Sequence, residues 1–184
     1  MYPKEMLKQS LPLLVICGLG GILTGNTLGA MIHLLQTIPG LLVVIPAVIA
    51  LRGNISTAFG SRLGSAYHLG IIDADNLWNH ELKQNILGTL VLSVLMSCII
   101  GIFAYVTSLV FGVIPNPWVL IGIVLIAGVI SGFILTVLTI GIVYLVFKRG
   151  YDPDNITGPA LATFGDVITI LCVFGSALLL GGYA

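Results

Sequence analysis

The sequence predicts an all-α membrane protein with five transmembrane helices, and three observations predict it. The chain of 184 residues is 58% apolar and 8% charged, with a mean hydropathy of +1.13, which is not the composition of a soluble domain. Its apolar residues fall into five blocks: about Leu11–Leu35, Ile38–Leu69, Asn85–Val113, Trp118–Phe147 and Pro159–Tyr183. Helix breakers stand between most of them, namely Pro39-Gly40, Pro115-Asn116-Pro117 and Gly150-Tyr151-Asp152-Pro153. At about 20 residues per crossing, the blocks account for residues 1–184 as a single transmembrane domain with no room for a soluble one.

The first block follows Met1-Tyr2-Pro3-Lys4-Glu5, which resembles the n-region of a signal peptide. The apolar run then continues past about 20 residues with no small-residue cleavage site, so a retained first helix is expected. Gly21, Gly25 and Gly29 repeat every four residues on one face of it. Such a stripe lets another helix backbone approach closely, either within the chain or from a second subunit.

The second block is irregular. Its apolar part, Leu41–Leu51, is too short to cross alone; it meets Arg52-Gly53-Asn54 and continues as the more polar stretch Ile55–Leu69. A helix broken at Gly53-Asn54 is the expectation, with a re-entrant segment plus an interfacial helix as the alternative. Asn54 would cap the second half-helix, with Ser56 and Thr57 in its first turn. Arg52 either snorkels to the interface or pairs with a carboxylate such as Asp73 or Asp75.

Orientation follows from the basic residues. Lys4, Lys8, Arg52, Arg62, Lys83, Lys148 and Arg149 all fall toward one side, and the loops at Thr37 and Pro115–Pro117 carry none. That places the N-terminus in the cytoplasm and the C-terminus outside a multi-pass cell-membrane protein.

The fifth block contains the most informative residue. Asp166 is the sole acidic residue inside any apolar block. A carboxylate at bilayer depth costs roughly 2.5–3.5 kcal/mol on insertion scales, so it marks an ion path by default. Ala162, Thr163 and Thr169 lie three or four positions from it, on the same helical face, and Gly165 leaves space beside it. One carboxylate and two hydroxyls suit a hard cation that keeps most of its water, as Mg²⁺ does. Cys172 and the histidines lie off this turn, which disfavours soft-metal chemistry. Because one carboxylate is a weak divalent site, a two-fold homodimer that brings two copies of Asp166 to one axis is expected. Packing glue, with Asp166 bonded to a hydroxyl or to Arg52, and a proton relay are the alternatives.

The remaining polar residues have ordinary readings. Cys17, Cys98 and Cys172 sit in separate blocks without CxxC spacing and read as small packing residues. His33, His68 and His80 lack metal-ligand spacing. Asp152, Asp154 and Asn155 form either an acidic funnel or a turn leading to a helix capped by Thr157, with Pro159 in its first turn. No nucleophile–base spacing points to an enzyme, and nothing points to nucleic acid.

Two stretches carry a family resemblance. Pro46-Ala47-Val48-Ile49-Ala50-Leu51-Arg52-Gly53-Asn54, with Ser61-Arg62-Leu63-Gly64 and Gly70, resembles a signature of the integral-membrane domain shared by MgtE magnesium transporters and the solute carrier 41 family. Asp152-Pro153-Asp154-Asn155-Ile156-Thr157-Gly158-Pro159, with Thr163 and Gly165-Asp166, resembles its second signature. The resemblance implies that Asp166 holds a hydrated Mg²⁺ or related divalent cation. It also implies that the Ala162 carbonyl faces that ion and that Asn54 lines the pore from the second crossing. Two departures matter. Arg52 stands where the bacterial pattern has glycine, nearer the Lys-Gly-Asn form of the solute carrier branch, and the cytosolic magnesium-sensing domains of bacterial MgtE are not in this sequence. The implied function is cation transport by a homodimer. The alternatives are a subunit of a heterodimer, which charge asymmetry at Arg52 would suit, or a coupled exchanger such as Na⁺/Mg²⁺.

Overall fold

Each apolar block contributes one long helix to the computed structural model of the chain, which describes residues 3–72, 78–150 and 153–183, and the first block also supplies most of a short second helix. The order is α1 (Pro3–Ala30), the short α2 (Ile32–Thr37), α3 (Leu41–His68), α4 (His80–Val110), α5 (Pro117–Lys148) and α6 (Pro153–Leu180), ending in a 3₁₀ turn at Gly181–Tyr183. No strand occurs among the described residues. The five long helices are each long and apolar enough to cross a membrane.

Local chemistry sets the helix ends. Asn79 caps α4, its Oδ1 accepting from the Leu82 N–H at 2.9 Å, while its Nδ2 donates to the Ile71 carbonyl at 2.6 Å. Asn116 caps α5 by accepting from the Trp118 N–H at 3.1 Å, with Pro117 at the first helical position. Gly40 turns the chain into α3 at φ +83°. A side chain there would be strained by that φ, and its Cβ would stand 2.8 Å from Ser108 Oγ. Proline also starts α6, at Pro153, four residues before Thr157. Thr157 is therefore not the cap, and Pro159 lies inside the helix rather than in its first turn. The side chains of Asp152, Asp154 and Asn155, and so the acidic-funnel reading, lie outside the described residues, as do Asp73 and Asp75.

The bundle is built around α5, which packs against α3, α4 and α6. Val44, Val48, Leu120, Ile123, Val124, Ile170 and Val173 form the main core, and Phe59, Leu63, Leu82 and Val143 a second one nearer the basic end. Several hydroxyls buried in this interior are bonded to their own helices. Ser131 donates to the Ala127 carbonyl at 2.6 Å, Thr136 to Gly132 at 2.7 Å and Thr139 to Leu135 at 2.7 Å. A medium without water requires such internal partners.

Successive crossings alternate in direction, which gathers Lys8, Arg62, Lys83, Lys148 and Arg149 at one end. Tyr67 stacks on Phe147 there with ring centroids 4.1 Å apart, and Lys148 Nζ lies 5.6 Å from the Tyr144 ring centroid. At the other end, Asn116 Nδ2 donates to the Tyr183 carbonyl at 3.1 Å. Arg52 is the exception to the charge pattern, lying in mid-helix.

α1 stands outside the bundle and packs chiefly on α6. The contact uses Gly20, which faces the Thr163 methyl, and Cys17, whose Sγ donates to the Pro159 carbonyl at 3.5 Å. Among the described residues the Gly21, Gly25 and Gly29 stripe serves no packing within the chain: a Cβ at each would meet nothing within 4 Å.

Candidate functional site

Asp166 lies where α6 crosses α3. Gly165 beside it packs on α3, where a Cβ would be in ordinary contact, 3.6 Å from the Gly53 Cα and N atoms and 4.0 Å from the Arg52 carbonyl carbon. Gly165 and Gly53 face each other there, and the residues that follow them, Asp166 and Asn54, come to one crossing from two helices. Asp166 is half-buried and Asn54 exposed; Ala162, one turn before Asp166, is half-buried.

The α3 face that carries Asn54 is unlike a lipid-facing surface. Ala47, Ala50, Asn54, Ala58, Ser61 and Ser65 recur at spacings of three and four, and all six are exposed. By contrast, α1 exposes Leu14, Val15, Leu19 and Ile22, and α4 exposes Leu87, Val91 and Leu95, the residues that hydrocarbon covers without loss. Toward the basic end the α3/α6 seam widens into a hollow of about 380 Å³, lined by Thr57, Ser61, Ser65, His68 and Thr157. The Thr157 hydroxyl is buried without a hydrogen-bond partner.

The other expected site residues are not gathered here. Thr163 turns its methyl toward Gly20 of α1, and its hydroxyl donates to the Pro159 carbonyl at 3.1 Å. Thr169 is fully buried, and its Oγ1 has no partner. Three or four residues along a helix span a wide arc, and α1 and the bundle interior each claim one edge of it.

The break expected at Gly53-Asn54 does not occur. α3 runs unbroken through Leu41–His68, and Gly53 is not among the glycines with positive φ. The Thr57 hydroxyl donates to the Gly53 carbonyl at 2.8 Å and to the Asn54 carbonyl at 3.2 Å, as a hydroxyl inside a continuous helix does. Asn54 is therefore no cap, and the Ala50 and Leu51 carbonyls remain within the helix ladder. A single glycine costs a helix only about 1 kcal/mol relative to alanine, less than packing against α5 and α6 returns.

Arg52 corrects a second expectation. It is 1% exposed, so it does not snorkel. Its Nη2 donates to the Ser93 carbonyl at 3.1 Å and to Ser97 Oγ at 2.8 Å, while Nε and Nη1 have no acceptor. Among the described residues it is bonded to no carboxylate, Asp166 included; Asp73 and Asp75 lie outside them. The residues that receive it were not anticipated: Ser93 and Ser97 of α4, and Gly128 and Gly132 of α5. Both pairs are four residues apart, and that shared spacing of small residues in neighbouring blocks was the available signal.

Among the described residues no three His, Cys, Asp or Glu side chains gather as a metal cluster. Asp166 is the carboxylate that α6 brings to the crossing.

Comparison with known proteins agrees with this architecture. Residues 45–176 match the profile of the family described as MgtE: Divalent cation transporter. Human solute carrier family 41 member 2 is 29% identical over 182 residues, covering 91% of this chain and 31% of the relative. The Xenopus laevis member 2 protein is 30% identical over 175 residues, covering 90% of this chain and 30% of the relative. Rat solute carrier family 41 member 3 is 29% identical over 166 residues, covering 85% and 35%. The chain spans about a third of the length of these curated relatives.

Proposed function

Because the chain belongs to the MgtE family of divalent cation transporters, we propose that it carries hydrated Mg²⁺, or a related hard divalent cation, along the α3/α6 seam of a homodimer. The observation that carries this reading is the exposed stripe of alanine, serine and asparagine on α3, facing outward where a lipid-facing helix has leucine and valine. Small polar residues on an outer face of a membrane helix suit a water-filled path or a second subunit, and a pore between two protomers supplies both.

Asp166 is the ion's anchor. Mg²⁺ sheds water reluctantly and is held through one or two carboxylates. Two copies of Asp166 at a two-fold axis bind the hydrated ion through its water shell and balance its charge. The Asn54 amide and the Ala162 carbonyl accept hydrogen bonds from the same shell, and the hydroxyl-lined hollow receives the ion at the basic end. Thr163 and Thr169 orient α6 against α1 and the core. Nothing in this scheme makes or breaks a covalent bond, so the protein acts as a transporter and not as an enzyme. The guanidinium of Arg52 is turned toward α4 and α5 and makes no contact with the proposed ion.

The test is Mg²⁺ flux into proteoliposomes containing the chain alone, with and without a Na⁺ gradient. Asp166→Asn keeps the shape of the side chain and loses its charge, so flux should fall to background while the protein keeps its melting temperature and its dimer. Wild-type flux from folded Asp166→Asn would sink the assignment. Flux that requires a Na⁺ gradient identifies an exchanger; flux without one identifies a channel. Orientation is tested separately by replacing Arg149 with cysteine, which should be labelled from the cytoplasmic side and not from outside intact cells.

A further inference from the structure

Arg52 heads the large side chains that the bundle buries fully, and the α3/α6 path makes no use of it. It lies eleven residues after Leu41 and sixteen before His68, about 16 Å and 24 Å from the two helix ends. Three helices wall it in. The glycines of α5 form the slot: a Cβ on Gly128 would stand 3.1 Å from Nη2, and one on Gly132 2.7 Å from Nη1. Ser93 and Ser97 of α4 hold Nη2. Nε and Nη1 have no acceptor, and the surrounding space, lined by Ser56, Thr89, Thr136 and Thr139, has no room for a water molecule. A small anion fits no better.

A guanidinium keeps its proton at any physiological pH, so this cage contains a fixed positive charge that no carboxylate among the described residues shares. Burying such a charge is costly, and an apolar side chain of similar size would fill the slot without that penalty. Packing alone does not account for an arginine here. The Arg52 carbonyl carbon is within 4.0 Å of where a Gly165 Cβ would be, and Gly165 precedes Asp166. The Arg52 backbone therefore stands at the crossing, while its guanidinium is turned toward α4 and α5, and a helix diameter of roughly 10–12 Å sets the scale of its separation from the path.

We infer that Arg52 is a fixed counter-charge that weakens the hold of the path on a divalent cation, so that an ion attracted by Asp166 is released instead of trapped. The inference rests on the reading of Asp166 as the ion's anchor. A unit charge and a divalent ion about 12 Å apart, at an effective dielectric of about 40, repel by an amount worth on the order of tenfold in affinity. Arg52 touches no ion itself; it acts through the field at Asp166.

The experiment is a Mg²⁺ concentration series for flux in proteoliposomes. Arg52→Gln and Arg52→Met remove the charge, Arg52→Lys keeps it, and Ser93→Asp places a carboxylate beside it without removing it. Arg52→Gln and Arg52→Met should lower the half-saturating Mg²⁺ concentration on the order of tenfold and reduce the maximal flux as release slows. Ser93→Asp should shift in the same direction, and Arg52→Lys should stay near the wild type. An unchanged half-saturation in folded Arg52→Gln, Arg52→Met and Ser93→Asp, with maximal flux following the yield of folded protein, would leave Arg52 a packing residue and overturn the inference. A shift in Arg52→Lys as large as in Arg52→Gln overturns it too. If the neutral variants do not fold, Ser93→Asp and Arg52→Lys decide alone. Asp166→Asn in the same assay separates the two ideas. Wild-type flux from that variant defeats the anchor itself, whereas an inactive Asp166→Asn beside an unshifted Arg52→Gln defeats only the counter-charge.

Discussion

Arg52 and Asn54 are two residues apart on α3 and inhabit opposite surroundings. Two positions in a helix turn the side chain by about 200°, so one points into the cage formed with α4 and α5 and the other out of the bundle along the α3/α6 seam. The cage is closed and fitted to one side chain: Gly128 and Gly132 yield the space, Ser93 and Ser97 supply acceptors, and no water fits between them. The seam is open, lined by small and polar residues, and widens into a hollow of about 380 Å³. In a membrane protein, burial and polarity therefore separate. The charge lies in the interior, the polar stripe lies on the outside, and the leucines and valines that a soluble protein would hide face the lipid. The candidate functional surface is a place where exposure is not apolar.

Substitutions in the cage should break the fold first. A Cβ on Gly128 would overlap Ser97 Oγ and lie 2.9 Å from Ser97 Cβ, so Gly128→Ala should cost about 1–3 kcal/mol by overpacking. Thermal unfolding in detergent measures the loss, and flux should fall only with the folded fraction. Adding Ser97→Gly should recover part of it, because the two sites share one space; additive losses would contradict the packing described.

On the seam the expectation reverses. Ala58 is exposed on the α3 stripe, so Ala58→Phe should leave the melting temperature within about 2–4 °C of the wild type while severely reducing Mg²⁺ flux. If stability and flux fall together, the stripe is a packing surface and not a path.

Asn54 gives a smaller effect. As an exposed mid-helix residue it is not needed to cap α3, so Asn54→Ser should retain part of the flux through its hydroxyl, and Asn54→Leu should lose most of it at unchanged stability. Equal flux in the two variants would remove Asn54 from the path.

The smallest effect belongs to Gly53. A Cβ there would meet nothing within 4 Å, and the backbone is helical. Gly53→Ala should thus stabilise the protein by about 0.5–1 kcal/mol with flux retained. A strong loss of flux would indicate that a partner backbone approaches Gly53 in the assembled transporter.

Much of this architecture was legible in the sequence because the bilayer constrains it heavily. Twenty apolar residues cannot expose their backbone to hydrocarbon, so the blocks had to be helices. Pro39-Gly40, Pro115-Asn116-Pro117 and the Asp-Pro element marked their ends to within a few residues, although α6 starts at Pro153 rather than near Thr157. Asp166 stood out for the same reason, as the one carboxylate in an apolar block. The site around it was less legible. Helical periodicity put Thr163 and Thr169 on the same arc as Asp166, but α1 takes Thr163 and the core takes Thr169. Periodicity gives an angle and not the identity of the neighbour at that angle.

The sequence by itself determined the class of protein, the number of crossings, the end at which the basic residues collect and the residue most worth testing, because each follows from transfer energies that act one residue at a time. Only the tertiary structure decided whether α3 breaks, where Arg52 points and which glycines matter. Those outcomes depend on contacts between residues far apart in the chain: Gly53 meeting Gly165, and Arg52 fitting between Ser97 and Gly132. A glycine that looks like a hinge in one dimension becomes a contact surface when another helix lies against it, and an arginine that looks misplaced becomes fixed once two glycines on a neighbouring helix leave it a slot.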